Sequence, residues 1–358
     1  MRIAQVAPLW ERVPPPGYGG IELIVGLLTD ELVRRGHDVT LFASGDSQTL
    51  AKLEATAPRA LRLDPTIQNP AVYDMLHLSK VQERAEEFDV IHFHTWIPPF
   101  QLTEYIKTPT IYTLHGNFTS EINQLYARYR NHNFVSISNA QRQDGPDLNY
   151  VSTVYNGIDV SAYPFFPEAQ TPPYLAFLGR MSPQKGPHHA ISIAKQVGLP
   201  LMMAGKVDPV DKAFFEEKIA PHIDGDQIQF LGEVNHEQKL EFLGNAMATL
   251  FPITWQEPFG LVMIESMCAG TPVIGMKLGS VPEVIDHGKT GFICNDVAEI
   301  PDAIAGVSQL NRQQCHDFVK QRFSVAKMVD SYEDAYHKTL AESMSRNGHR
   351  RNAAVLAL

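Results

Sequence analysis

The sequence predicts an α/β fold of two doubly wound parallel-sheet domains that face each other across a cleft, followed by C-terminal helices. The chain has 358 residues, 44% of them apolar, which suits two hydrophobic cores better than one. Short β-rich runs alternate with helical periods in both halves, as parallel sheets with crossover helices require. Four prolines in "VSAYPFFPEAQTPPY", residues 160–174, interrupt this alternation and predict an interdomain linker.

The first half, residues 1–165, is predicted to form the N-terminal domain. Its strands are typical of apolar runs buried between two helical layers. They are "RIAQVAP", "HDVTLFAS", "DVIHFHT", "TPTIYTLHG", "NFVSIS" and "VSTVYNG". Helices are predicted from about residue 20 to 35, around 72–87, and over "SEINQLYARYR".

The second half, residues 166–342, repeats the alternation and predicts the C-terminal domain. Its predicted strands are "YLAFLGR", "PLMMAG", "QIQFLG", "ATLFPI", "PVIGM" and "GFIC". Its predicted helices begin at Pro187, cover "KAFFEEKIAPHI" and "HEQKLEFLGNA", follow Phe259, and end the domain at about 297–307, 311–322 and 325–342. The terminal helices are expected to pack back on the N-terminal domain. Residues 343–358 show no usable periodicity and are predicted to form a flexible tail.

Composition excludes several classes of partner. The formal net charge is −10, and residues 1–160 carry 13 basic and 18 acidic side chains, so neither half is basic enough to favour nucleic acid or anionic lipid. The three cysteines, Cys268, Cys294 and Cys315, are scattered without metal spacing, which indicates a reducing compartment. The N-terminal residues lack the pattern of a signal peptide, and no apolar run is long enough for a membrane span. We expect a soluble cytoplasmic protein; the oligomeric state is not indicated.

Ligands of doubly wound sheets bind beyond the carboxyl ends of the strands, so the strand-to-helix corners are the candidate sites. The first corner, "PPPGYGGIE", places Gly17, Gly19 and Gly20 before a helix start, where free N–H groups suit a phosphate. An ordinary glycine-rich turn is the alternative. The Gly-x-Gly-x-x-Gly spacing of nicotinamide dehydrogenases is absent, which argues against that class.

The corner "LGRMSPQKG" opens the second domain and carries two cations. Arg180 and Lys185 lie five residues apart, Arg180 with a planar fork of donors and Lys185 as a point charge. Together they would neutralise a diphosphate. The alternative is a solvated charged loop.

The corner "WQEPFGLVMIE" carries two carboxylates, Glu257 and Glu265, on either side of a helix start. The N–H groups between them are unpaired because they begin the helix. These belong to Phe259, Gly260 and Leu261. Carboxylates accept from vicinal hydroxyls and free N–H groups bind oxygens, so the corner predicts a sugar nucleotide, with one acid on the ribose and the other on the sugar. Helix-dipole compensation is the alternative; it would explain one acid but not the Pro-Phe-Gly spacing.

Three histidines in the first domain raise the question of a metal. "HFHTW" places His92 and His94 on one face of a strand, and "TLHGNF" places His115 at the end of the next. A His-x-His pair with a third histidine can bind zinc. Because no acidic or cysteine partner stands at ligand spacing, we predict no metal site. His92 reads as a structural histidine, whereas His115 and His94 are predicted to face the cleft.

Taken together, these motifs resemble glycosyltransferase family 4, the retaining sugar transferases of GT-B fold, over roughly residues 1–340. "EPFGLVMIE" has the E-x7-E spacing of that family, "GRMSPQKG" its diphosphate pair, "GYGGIE" its glycine loop and "TLHG" its strand-end histidine. "YNGIDV" and "GSVPEVIDHGKTGFI" are similar to further family motifs. "VPPPGYGGIE" also resembles bacterial members that include antibiotic-pathway sugar transferases.

The resemblance implies transfer of a sugar from a nucleotide donor to a hydroxyl, with retained configuration and no cofactor or obligatory metal. Four residues would act at the reacting centre. Arg180 and Lys185 would stabilise the leaving diphosphate, Glu257 would lie beside the sugar ring, and His115 would lie near the anomeric carbon and hydroxymethyl group.

The resemblance also implies a donor-binding set and an acceptor side. Glu265 would bind the ribose, and main-chain groups of residues 231–234 would hold the base. The donor-binding residues are Gly19, Gly20, Val234, Phe259, Gly260, Leu261 and Glu265. His94 and Tyr18 are expected on the acceptor side.

Two alternatives remain open from the sequence: a GT-B-type sugar-nucleotide epimerase, and a non-catalytic sugar-nucleotide sensor or scaffold. Some family members dock on membranes through basic, apolar helices, but "SEINQLYARYRNHN" carries only Arg128 and Arg130 as cations. A soluble small-molecule or glycan acceptor is therefore favoured, with UDP-glucose or a close relative as donor.

Overall fold

The structure, a computed structural model, confirms the predicted α/β architecture: two sheets in which every strand is parallel to its neighbours. It describes residues 1–355 except residues 18, 63, 96, 98 and 144, with side chains described as far as residue 345. The first sheet belongs to the N-terminal half of the chain and the second to the C-terminal half.

The N-terminal sheet has seven strands in the order β3-β2-β1-β4-β5-β6-β7. Their bounds are β1 Arg2–Val6, β2 Asp38–Ala43, β3 Lys52–Ala55, β4 Val90–Phe93, β5 Thr110–Leu114, β6 Asn133–Ser136 and β7 Tyr150–Thr153. The central strands are buried along nearly their whole length, because helices cover both faces of the sheet. In the register of β1 and β4, Gln5 lies opposite His92.

The C-terminal sheet has six strands in the order β10-β9-β8-β11-β12-β13. Their bounds are β8 Leu175–Leu178, β9 Leu201–Ala204, β10 Ile228–Phe230, β11 Ala248–Phe251, β12 Val273–Met276 and β13 Gly291–Cys294. Each sheet reverses its strand order once, between β1 and β4 in the first and between β8 and β11 in the second. Ligands of doubly wound sheets bind at such switch points, so both sheets direct attention to the corners after these four strands.

Twelve α-helices connect and flank the strands of the described chain. Those of the N-terminal half are α1 Gly20–Arg34, α2 Pro70–Glu83, α3 Phe100–Thr103 and α4 Ser120–Arg128. Those that follow are α5 Pro187–Val197, α6 Lys212–Lys218, α7 His236–Gly244, α8 Leu261–Cys268, α9 Val281–Val284, α10 Ile300–Gly306, α11 Arg312–Arg322 and α12 Val325–Val355. Among the residues described, none of these helices combines the length and apolar character of a membrane span.

Local sequence explains where several of these helices begin and end. Asn235 accepts from the Gln238 N–H while the Gln238 side chain accepts from the Asn235 N–H, a capping box that starts α7. α5 starts with Pro187 in its first turn and stops at Gly198, whose left-handed conformation ends the helix without a steric penalty. These signals are local, which is why the helix positions were predictable.

The structure differs from the predicted elements at several places. The short helices α3 and α9 were not predicted, and the helix predicted over residues 212–223 is α6 followed by a 3-10 turn, Ala220–His222. β3 was not predicted, because an exposed four-residue edge strand has no apolar alternation. The helix predicted over 72–87 is α2 followed by a short 3-10 turn, Ala85–Glu87. α12 continues to Val355, past the flexible tail predicted from residue 343, since the segment contains no proline and an established helix propagates readily.

The last helix returns to the N-terminal domain. α12 contacts α1, β5 and β7, and its residues complete the hydrophobic core on one face of the N-terminal sheet. The buried side chains that it contributes are Met328, Val329, Tyr332, Ala335 and Tyr336. The N-terminal domain therefore depends on the end of the chain for part of its core.

The two chain segments that cross between the domains lie side by side. The Ile158 N–H donates to the Phe323 carbonyl at 2.9 Å, and the Val325 N–H donates to the Ile158 carbonyl at 3.0 Å. Nearby, the Glu283 carboxylate of the C-terminal domain accepts from the N–H groups of Asn139 and Ala140 in the N-terminal domain, at 2.9 and 2.7 Å. These bonds connect the two domains beside the crossing point.

The packing of α12 predicts unequal effects for two methionines of that helix. Met328 is buried in the N-terminal core, whereas Met344 is 72% exposed. We expect Met328→Ala to lower the free energy of unfolding by about 2–5 kcal/mol, because it removes buried apolar contacts and leaves a cavity. Met344→Ala should change it by less than about 0.5 kcal/mol. Urea denaturation of both variants checks this, and equal effects would contradict the packing of α12.

Candidate active site

A cleft of about 570 Å³ lies between the two domains, at the carboxyl ends of their strands. Residues from the glycine loop, from the end of β5 and from the corners after β8, β9 and β11 line it. Eleven of the predicted site residues are brought together on its walls. They are Gly19, Gly20, His115, Arg180, Lys185, Val234, Glu257, Phe259, Gly260, Leu261 and Glu265.

The corner after β8 packs directly on the corner after β11. Gly186 has φ 74°, and a Cβ at this position would clash with the Pro252 carbonyl, so the close approach requires glycine. This contact places Lys185 beside Glu257, with Nζ 2.5 Å from Oε2. The Lys185 ammonium also lies 5.1 Å from the Trp255 ring centre.

Arg180, on the same corner, faces two aspartates of the loop that follows β9. Its Nε is 3.4 Å from Asp211 and its Nη1 is 3.6 Å from Asp208. Both separations exceed those of a strong charge-assisted hydrogen bond. Lys206 pairs with Asp208 at 2.7 Å, so it adds a third cation to this wall of the cleft.

Glu257 is 6% exposed and is held through one of its two oxygens. Besides Lys185, the Trp255 indole N–H donates to Oε2 at 2.8 Å. The backbone of Glu257 is fixed as well, because its carbonyl accepts from the Ser280 N–H at 2.9 Å. Both of the side-chain hydrogen bonds that the described residues give Glu257 therefore fall on Oε2, which leaves Oε1 for a ligand.

Glu265, 4% exposed in the second turn of α8, is arranged in the same way. Its Oε1 accepts from the Tyr163 hydroxyl at 2.9 Å and from Lys239 Nζ at 2.5 Å. Between the two acids, the N–H groups of Phe259, Gly260 and Leu261 donate to no acceptor of the described chain. The predicted combination of two carboxylates and free helix N–H groups is thus present on one wall.

The glycine loop approaches this wall from the opposite domain. A Cβ on Gly20 would lie 3.2 Å from the Leu261 side chain, and one on Gly17 would lie 3.6 Å from the Val234 carbonyl. Small residues therefore let the two domains come into contact at the start of α8. Tyr18, predicted on the acceptor side, lies outside the described residues.

The structure places only one of the two histidines that were predicted to face the cleft at its wall. His115 lines the cleft, but His94 does not: it is fully buried behind His115, with Nδ1 2.9 Å from the His115 Nε2. The prediction that His94 faces the cleft was wrong, because its ring packs behind the cleft wall against His92, His115 and Gln5. His92 is buried and bonded to the Tyr336 and Thr113 hydroxyls, in keeping with its structural reading.

Burial controls the protonation of all three histidines. Desolvation lowers the pKa of His115 to about 3 and holds the pKa values of His92 and His94 well below their ordinary range. The rings are therefore neutral near pH 7. Within the part of the chain that the structure describes, no group of three or more His, Cys, Asp or Glu side chains is arranged to hold a metal ion.

Sequence reasoning missed two lysines that the cleft contains, Lys239 and Lys206. Lys239 is on helix α7 and Lys206 on the loop after β9, neither in a motif with a recognisable spacing. The available signal for Lys206 was its position just beyond a strand end, at "MMAGK". Nothing local marks Lys239, because its role depends on α7 packing beside α8.

Comparison with known proteins agrees with this geometry. A family model described as Glycosyltransferase Family 4 matches residues 18–162, and one described as Glycosyl transferases group 1 matches residues 163–323. The chain is 27% identical to glycogen synthase of Mycobacterium tuberculosis, over an alignment that covers 86% of each chain. It is 26% identical to N-acetyl-alpha-D-glucosaminyl L-malate synthase of Bacillus anthracis, over 93% of this chain and 97% of the relative.

Solved structures show the same fold. AviGT4, a glycosyltransferase involved in avilamycin A biosynthesis, is 25% identical and superposes with a TM-score of 0.72, over 96% of this chain and 98% of AviGT4. HepE of Anabaena, solved in complex with UDP and glucose, gives a TM-score of 0.71 at 20% identity, over 97% of this chain and all of HepE. At that identity the second likeness speaks for the fold alone.

The two family models and the relatives by sequence indicate glycosyl transfer and do not favour the epimerase alternative. The two family models together span residues 18–323, and both parallel sheets contribute to the cleft that holds the acidic pair and the basic corner. The chain belongs to glycosyltransferase family 4, and it is a GT-B glycosyltransferase that uses nucleotide-sugar donors.

Proposed function

We propose that the enzyme transfers a hexosyl group from UDP-glucose, or a close relative, to a hydroxyl of a soluble small-molecule or glycan acceptor, with retention of the anomeric configuration. The donor class rests on the family resemblance. The relative from Bacillus anthracis supports a small, soluble acceptor, since L-malate appears in its name.

The single observation that carries the proposal is the arrangement of the two acids. Glu257 and Glu265 line one cleft, and each is anchored through one oxygen by a lysine, Lys185 and Lys239 respectively. The second oxygen of each acid is then available to accept from hydroxyls of a ligand. Two pre-positioned acceptors on either side of a helix start suit the ribose and the transferred sugar of one donor.

The basic corner suits the diphosphate between those two sugars. Arg180 and Lys185 line the same cleft, and the unpaired N–H groups at the start of α8 lie between the acids. As the bond from the anomeric carbon to the phosphate oxygen breaks, negative charge grows on the leaving diphosphate. Cations already in place stabilise that charge without reorganisation, which is usually a large part of catalysis.

Retention follows if the acceptor hydroxyl attacks from the side of the departing diphosphate. The acceptor oxygen forms a bond to the anomeric carbon, and the bond between that carbon and the diphosphate oxygen breaks. The proton of the acceptor hydroxyl passes to the released diphosphate. Glu257 would stabilise the positive charge that develops on the sugar ring. His115 would accept or donate at a sugar hydroxyl, and contact between the domains would limit hydrolysis by excluding water.

The roles of Arg180 and Lys185 are tested by removing each charge. We expect Arg180→Ala and Lys185→Ala each to reduce turnover by an amount equal to about 2–4 kcal/mol in barrier, by analogy with loss of an oxyanion donor. Lys212→Ala is the matched control, because Lys212 is exposed and pairs with Glu216 on a helix surface. Near-wild-type transfer by either cleft variant, at unchanged thermal stability, would remove that residue from the mechanism.

Substitution of the two acids is predicted to change different kinetic constants. Glu265→Gln should chiefly raise the donor KM, because contacts to the unreactive ribose are similar in the ground and transition states. Glu257→Gln should chiefly lower kcat, because its charge matters most when the sugar becomes positive. Steady-state kinetics at saturating acceptor, with donor affinity from calorimetry, separate the two effects. The reverse pattern would mean that the donor lies in the opposite direction along α8.

Donor choice and metal independence are tested in one screen. At a hundred times its dissociation constant, UDP-glucose should stabilise the protein by about 2.7 kcal/mol relative to the ligand-free form. GDP-glucose and ADP-glucose at the same concentration should stabilise it less. Because the cations at the diphosphate are side chains, EDTA should change neither this stabilisation nor the transfer activity. Loss of activity in EDTA that zinc or magnesium restores would contradict the metal-free mechanism, and preference for another nucleotide would correct the donor.

A further inference from the structure

A chain of buried hydrogen bonds runs from the cleft histidine to the last helix of the protein. His115 Nε2 lies 2.9 Å from His94 Nδ1, and His94 Nε2 lies 2.9 Å from the Gln5 side-chain oxygen. The Gln5 amide then donates to the Tyr336 hydroxyl at 2.8 Å. Gln5, His94 and Tyr336 are fully buried, so water does not compete for these bonds.

This series of hydrogen bonds from His115 through His94 and Gln5 to Tyr336, called the relay below, continues past Tyr336 to a second branch. The Tyr336 hydroxyl is 2.8 Å from His92 Nδ1, and His92 Nε2 is 2.7 Å from the Thr113 hydroxyl. Thr113 in turn lies 3.1 Å from the Tyr332 hydroxyl, where the relay ends. Tyr336 is therefore the branch point, whereas Tyr332, one helical turn earlier, is a terminus.

The direction of the Gln5 amide fixes the tautomer of His115. Because the Gln5 NH₂ donates to Tyr336, its oxygen faces His94 and accepts, so His94 carries its proton on Nε2. A neutral His94 then offers a lone pair at Nδ1, and His115 must donate its Nε2 proton to it. The remaining nitrogen of His115, Nδ1, is left as an acceptor with no partner among the described residues.

This tautomer requires that the three rings are neutral, and their surroundings keep them neutral. Burial lowers the pKa of His115, His94 and His92, and the positive forms of the three rings would also repel one another. Besides the three histidines, the relay consists of a glutamine, a threonine and two tyrosines, and none of these side chains is charged near pH 7. Reversing the amide of Gln5 would reverse every bond and present an N–H to the cleft instead.

We propose that Gln5, His94 and Tyr336 are positioning residues that hold His115 in the Nε2–H tautomer, so that it presents an acceptor nitrogen to the donor sugar. The part that concerns the sugar rests on the proposed function; the tautomer does not. An acceptor nitrogen selects a sugar hydroxyl as its partner and cannot bind a phosphate oxygen. The C-terminal helix thus takes part in the site through Tyr336, although none of its described side chains lines the cleft.

The tautomer is measured directly by ¹⁵N NMR of imidazole nitrogens in the wild-type protein. Among the 14 histidines, His115 is assigned as the ring whose signals disappear in His115→Gln. We expect a protonated Nε2 and an unprotonated Nδ1 at pH 7. A protonated Nδ1, or a charged ring, would overturn the proposal. This outcome is independent of the proposed function, because the NMR measurement needs no substrate.

The role of the last helix is tested with a matched pair, Tyr336→Phe and Tyr332→Phe. Both tyrosines are fully buried on α12, and each substitution removes one hydroxyl. We expect Tyr336→Phe to lower kcat about tenfold, because the Gln5 amide loses its orienting partner and His115 its fixed geometry. Tyr332→Phe should leave kcat within about twofold, with donor KM little changed in both.

The NMR and kinetic results are interpreted together. In Tyr336→Phe the His115 signals should shift toward the other tautomer, and in Tyr332→Phe they should not. Equal losses of kcat in the two variants, or an unchanged tautomer in Tyr336→Phe, would reduce the relay to ordinary core packing and contradict the proposal. If Tyr336→Phe does not fold, the His115 tautomer measured in the wild-type protein still tests the proposal.

Discussion

The backbone corner after β8 packs against the corner after β11, and the charged groups of the cleft depend on this contact. β8 and β11 are neighbouring parallel strands at the point where the strand order of the C-terminal sheet reverses. The approach is close enough that only glycine fits at position 186. Lys185, one residue earlier, is thereby fixed beside Glu257, and the start of α8 is held at the same edge of the sheet. A larger residue at 186 would separate the two corners and with them the cation and the acid.

In the structure the charges of the cleft neutralise one another. Lys185 pairs with Glu257, Lys239 with Glu265, and Arg180 faces two aspartates at longer range. Partial burial makes such pairing necessary, because an unpaired charge with restricted access to water is costly. A donor would then bind by exchange: hydroxyls would reach the second oxygens of the acids while a diphosphate would share the cations. We infer that the site is pre-organised without carrying strongly unbalanced charge.

The two domains are not independent halves joined by a linker. α12 follows the C-terminal domain in sequence, yet it completes the core of the N-terminal sheet and supplies the Tyr336 hydroxyl to the buried relay. The paired crossing segments at Ile158 and Val325 hold this helix where it returns. The two domains are therefore connected by two chain segments, and a ligand that draws the domains together acts against both. The position of His115 is linked to the second segment through Gln5 and through Tyr336 of α12.

The sequence by itself determined the alternation of strands and helices and the corners that carry chemistry, because strand burial, helix caps and glycine or proline positions are local properties. For that reason Glu257, Glu265 and the basic corner could be named before the structure was known. Tertiary structure alone decided which faces meet. The edge strand β3 has no local signal, Lys239 gains its meaning only from the packing of α7 on α8, and the side chain of His94 points into the core rather than the cleft. The buried relay joins residues more than 300 positions apart, and such contacts depend on how the chain closes on itself, which no local pattern records.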